Sequence, residues 1–127
     1  MPIGLAVAVA VAVAGAAGAL ARYLLDFYAG DYLESHHPAY VTFAINVGGS
    51  LLLGLLIGME PPGGVRVVLG VGFLGAFTTF STLMGQMYHA LSSEKYAHGL
   101  MLPLGSVTLG VFALWVGVAV GRTMAPA

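Results

Sequence analysis

The sequence predicts an all-α membrane protein of four transmembrane helices, and three observations carry that prediction. Hydrophobic residues fill 59% of the 127 positions and charged ones only 7%, against roughly 25% charged in soluble domains. The four basic and five acidic residues cluster at Arg22–Glu34, at Glu60 and Arg66, at Glu94-Lys95 and at Arg122. Between the clusters lie four uncharged stretches, each near or above the ~20 residues that span a bilayer core. In water so apolar a surface would aggregate; lipid removes the difficulty. A single membrane domain is expected over 1–127, with no room for a separate soluble catalytic module.

The first helix is expected at about 3–25. Valine and alanine alternate from Ala6 to Ala14, a period-two pattern that in water would hint at a strand. A lone strand cannot satisfy its backbone in lipid, so a helix is predicted. Ala19-Leu20-Ala21 resembles a signal cleavage site, but no positive charge precedes the apolar run, which is also longer than a signal core. The second helix is expected at about 39–59, after Pro38 and before the breakers Pro61-Pro62-Gly63-Gly64. The third, at about 67–91, stops at Ser92-Ser93, and the fourth, at about 99–121, stops at Arg122. The absence of cysteine excludes disulfides, thiolate metal sites and cysteine nucleophiles. A formal charge of −1 gives no basic face for nucleic acid.

Orientation follows the side that holds more Lys and Arg. Arg66 and Arg122 fall on one side, Arg22 and Lys95 on the other, so the count is level. Either four charges tie by chance, or the chain inserts both ways and opposed copies pair about a two-fold axis in the membrane plane. Nineteen glycines, about twice the usual share, favour close helix approach, with Gly54 and Gly58 at small-xxx-small spacing.

Polar residues within spans are costly and therefore informative. In the third stretch Gly72-Phe73-Leu74-Gly75-Ala76-Phe77 runs into Thr78-Thr79-Phe80-Ser81-Thr82. Such a run weakens a helix. Either it breaks and frees carbonyls, which two crossing copies could turn on a small cation, or its hydroxyls bond back onto an intact helix. Asn46 is the one carboxamide well inside a stretch, with Thr42 a turn earlier on the same face. Uncharged donors of this kind can replace water around a small anion; equally, they can serve as interhelical hydrogen bonds. Ser106 can add a hydroxyl from the fourth helix, and Phe80 the electropositive rim of its ring. Arg22 either snorkels to the headgroups or makes an anion-concentrating vestibule. His36, His37, His89 and His98 lie in or near loops, without metal-site spacing.

Gly18-Ala19-Leu20-Ala21-Arg22-Tyr23, Thr42 through Ser50, and the Gly-x-x-Gly-x-x-Thr-Thr-Phe-Ser-Thr run ending at Thr82 together resemble the Fluc (CrcB) family of fluoride channels over nearly the whole chain. The resemblance implies a third helix broken near the bilayer centre and an antiparallel, dual-topology homodimer with two pores at its interface. It implies a structural sodium ion on the dimer axis, held by the backbone carbonyls of Gly75 and Thr78. It assigns Asn46 and Phe80 to the pore, Ser106 to a hydroxyl track on the fourth helix and Arg22 to the vestibule; Thr42, Thr79 and Ser81 are further candidates for the fluoride path. It further implies passive fluoride export and fluoride resistance, in the cell inner (plasma) membrane. Two positions depart from the family pattern: Leu83 stands for a second phenylalanine and Gln86 for a glutamate. A hydroxyl position on the fourth helix is Gly110.

Two other functions compete. A dual-topology multidrug or cation exporter usually needs a carboxylate within a span, and none is expected here, because Glu60 and Glu94 sit at helix ends; an accessory membrane subunit needs no pathway of its own. No spaced set of nucleophile, base and oxyanion donors supports an enzyme.

Overall fold

The computed structural model describes residues 3–32 and 38–126, and every regular element among them is helical. In order these are α1 (Ile3–Tyr32), α2 (Pro38–Gly58), α3 (Gly63–Arg66), a π-helical segment (Val67–Leu74), α4 (Gly75–Phe77), α5 (Ser81–Ser92) and α6 (Tyr96–Met124). Four stretches are long and apolar enough to cross a membrane: Gly4–Ala29, Ala39–Gly58, Gly63–Ser92 and Tyr96–Met124. This is a multi-pass membrane protein. The Val/Ala run is helical throughout. α1 continues beyond Leu25 to Tyr32, taking in Asp26. At 30 residues it is about 45 Å long, longer than the ~30 Å hydrocarbon core, so its charged last turns can reach the headgroup layer.

Glycine sets the two main helix contacts. On α2 and α6, Gly54 and Gly58 face Gly117 and Gly121. A Cβ on Gly54 would run into the Leu114 carbonyl, one on Gly58 into that of Val118, and ones on Gly117 and Gly121 into those of Leu51 and Leu55. Two small-xxx-small pairs therefore interlock, which brings the backbones together without any hydrophobic drive. α1 packs on the π-helical segment in the same way: Gly18 lies against the Phe73 carbonyl, and a Cβ on Gly72 would sit 3.0 Å from the Val11 carbonyl oxygen.

The third span is not one uniform helix. It starts as an α-turn, passes through π-helical turns and returns to α geometry for Gly75–Phe77. Thr78 is then extended, at φ −78° and ψ 158°, and α-helix resumes at Ser81. A change of hydrogen-bond register followed by an extended residue leaves backbone groups that must find other partners.

Candidate polar cavity at the α4–α5 junction

The backbone groups at this junction are accounted for one by one. The Thr78 N–H still reaches the Leu74 carbonyl at 3.0 Å. In a continuous helix the Thr79 N–H would donate to Gly75; here it donates to Asn46 Oδ1 at 2.8 Å. Asn46 Nδ2 returns a bond to the Thr79 carbonyl at 2.9 Å. The side-chain amide thus pairs with both polar groups of one residue, as a neighbouring strand would. Among the described residues no backbone N–H donates to the carbonyls of Gly75 or Thr78. The N–H groups of Phe80 and Ser81 likewise find no acceptor there, so the start of α5 keeps two free N–H groups and a partial positive charge. Thr79 caps α5: its Oγ1 accepts from the Thr82 N–H at 3.3 Å and donates to Thr82 Oγ1 at 3.1 Å.

Beside the junction lies a cavity of about 410 Å³ between α2, the third span and α6. Six of the site residues expected from the sequence line it, Asn46, Gly75, Thr78, Thr79, Phe80 and Ser106, together with Leu83 and Gly110, the two positions that depart from the expected ring and hydroxyl. No charged residue is in its wall. Asn46 is half-buried and keeps one amide N–H without a partner among the described residues. Ser106 is 5% exposed, and its hydroxyl has no hydrogen-bond partner among the described residues. A buried hydroxyl without a partner is costly unless something that the cavity admits pairs with it. Phe80 is 71% exposed at the cavity edge.

Three further predicted residues lie apart from this wall. Thr42 is 2% exposed and accepts a bond from Gln86 Nε2 at 2.9 Å. Ser81 is exposed, 3.4 Å from the Thr79 hydroxyl. Arg22 is half-buried on α1, one turn from Asp26, which attracts it. Gln86 lines a second cavity of about 480 Å³ with Thr82, His89, Lys95 and His98. His89 and His98 are exposed; His36 and His37 lie outside the described residues. Sequence reasoning missed the Asn46–Thr79 pairing and the place of Ser50 in the cavity wall. The one readable signal for Ser50 was its spacing, one turn after Asn46.

The spans and the cavity define a small multi-pass membrane protein with an uncharged, donor-lined cavity beside an interrupted helix. Residues 9–118 match the family described as CrcB-like protein, Camphor Resistance (CrcB). Over 112 residues the chain is 43% identical to the fluoride-specific ion channel FluC 1 of Symbiobacterium thermophilum, covering 84% of this chain and 90% of that protein. It is also 43% identical over 114 residues to FluC of Phenylobacterium zucineum, covering 85% and 89%. A third relative, FluC of Acidobacterium capsulatum, is 37% identical over 113 residues, covering 85% and 90%. The chain belongs to the CrcB family.

Proposed function

We propose that this protein is a fluoride-selective channel, not an enzyme, and that it exports fluoride passively across the cell inner membrane and so confers resistance to it. The observation that carries the reading is the neutral, donor-lined cavity, in which, among the described residues, the Ser106 hydroxyl is buried without a partner and Asn46 holds one spare N–H. Fluoride is small and strongly hydrated, so close-fitting donors must replace its water. Neutral donors and the α5 N-terminus can do so without trapping the ion as a full positive charge would. Chloride is larger and gains less from donors set this closely. The fluoride-specific channels among its relatives support the same ion.

The pore in this reading is completed by a second, inverted copy. Thr78–Phe80 fall midway along Gly63–Ser92, which supports an interruption near the bilayer centre. There Phe80, Ser81 and Thr82 are exposed, and the Gly75 and Thr78 carbonyls lack donors among the described residues. Irregular backbone at that depth is tolerated only where protein or a cavity covers it. An antiparallel partner covers it, in keeping with the level count of basic residues on the two sides. Phe80 and Ser81 then face the pore with Thr79, and Thr42 extends it toward Gln86. The unpaired carbonyls of Gly75 and Thr78 suit a sodium ion, a hard cation that takes neutral oxygens, and they would hold it on the dimer axis. Such an ion would supply positive charge that fixes the two copies together. Arg22 forms the vestibule.

A proton-coupled exporter is the second candidate, because Asp26 falls within the first span. Asp26 is exposed and lines neither the 410 nor the 480 Å³ cavity. The test is efflux from proteoliposomes read with fluoride and chloride electrodes. Fluoride release without chloride release is expected; release of both, or of neither, contradicts the reading.

A further inference from the structure

The cavity wall is arranged in two levels. Asn46 on α2 and Ser106 on α6 form one, and a helical turn further on Ser50 follows Asn46 while Gly110 follows Ser106; all four line the cavity. Gly110 is buried, and a Cβ placed on it would lie 3.3 Å from Ser50 Oγ. The Ser50 hydroxyl therefore lies in tight contact with the place where a side chain at 110 would begin. Beyond this level the wall continues through Leu53, Val111 and Leu114, which offer no polar group.

We propose that Ser50 is an ion-contacting residue of this cavity, supplying from α2 the hydroxyl that Gly110 cannot supply from α6. The proposal rests on the fluoride-channel reading. Of the wall's other hydroxyls, that of Thr78 donates to the Leu74 carbonyl and that of Thr79 to Thr82. Ser50 Oγ donates to the Asn46 carbonyl at 2.8 Å. That bond is a resting partner and not a barrier. The Asn46 carbonyl lies inside α2 and keeps its place in the helical ladder when the hydroxyl turns away. A hydrogen bond to an anion is roughly twice as strong as one to a neutral carbonyl, so an arriving fluoride takes the proton donor by rotation about χ1. When the ion leaves, the hydroxyl returns to Asn46 and no buried donor is left unsatisfied. Ser50 thus acts as the last neutral donor before the apolar stretch, where the ion must exchange protein contacts for water.

The test compares fluoride efflux from proteoliposomes for the wild type, Ser50→Ala, Ser50→Cys and Ser50→Ala/Gly110→Ser. Loss of a hydrogen bond to a charged group predicts a fall of about tenfold or more for Ser50→Ala. Ser50→Cys preserves bulk and offers only a weak donor, so it should be slowed as well, which covers the case of a poorly folded alanine variant. Gly110→Ser on the alanine background returns a hydroxyl to the same level and should recover efflux to within a few-fold of the wild type. Wild-type rates in Ser50→Ala or Ser50→Cys would overturn the assignment, as would failure of Gly110→Ser to restore the alanine variant. A wild-type protein that releases no fluoride would instead refute the channel reading itself.

Discussion

Asn46 and Thr79 are joined by two hydrogen bonds, 2.9 and 2.8 Å long, between one side-chain amide and both polar groups of one residue. The pair diverts the Thr79 N–H from the Gly75 carbonyl and so keeps the junction open. Asn46→Leu removes both bonds and should lower stability by about 2–4 kcal/mol. It should also abolish fluoride efflux. Asn46→Asp retains an acceptor for the Thr79 N–H but leaves the Thr79 carbonyl unpaired, and should fall between the two. Thermal unfolding of the detergent-solubilised protein beside electrode-recorded efflux checks the order.

The glycine interlock of α2 and α6 predicts a purely structural phenotype. Gly54→Val drives a branched side chain into the Leu114 carbonyl and should cost about 1–3 kcal/mol or more. Gly63→Val, at a position with open space around it, should cost far less. Melting temperatures of the two variants decide the matter.

Leu83 is 3% exposed and lines the cavity beside Phe80. Replacing it with phenylalanine directs a ring with an electropositive rim toward the ion path. Efflux should rise severalfold, with a stability loss of about 1 kcal/mol from the added bulk. A rate at or below that of the wild type, in vesicles of matched protein content, would show that Leu83 does not limit conduction.

Arg22 and Asp26 stand one turn apart on α1 and attract each other, so the acidic residue tempers any field the arginine sends toward anions. Asp26→Asn should raise fluoride conductance and Arg22→Gln should lower it, each by roughly two- to fivefold at low salt. Both effects should shrink near 1 M salt, where the screening length falls to about 3 Å. Conductance measured across a salt series provides the check.

How far the sequence could be read depended on whether a feature was local or lay between helices. The four spans were legible because charge clusters mark their ends. The end of α1 was not: Asp26 reads as the edge of a span, yet the helix continues through it for six more residues to Tyr32. Asn46 stood out as a polar residue in an apolar stretch, but its partner could not be read, because that partner is backbone 33 residues away. Thr42 reads as a donor in line with Asn46; in the fold it accepts from Gln86, 44 residues on. Gly54 and Gly58 formed a weak motif alone and became informative only against Gly117 and Gly121. The hydroxyl run from Thr78 to Thr82 was visible, but the division of its backbone between helix, cap and Asn46 is a tertiary result.

The central claim is passive, fluoride-selective conduction past neutral donors, and a reversal potential tests it most directly. The wild-type protein is placed in a planar bilayer with fluoride on one side and chloride on the other, with and without a pH gradient. The account predicts a reversal close to the value for a membrane permeable to fluoride alone, unchanged when the pH gradient is imposed. A reversal near zero, or one that follows the proton gradient, would contradict it.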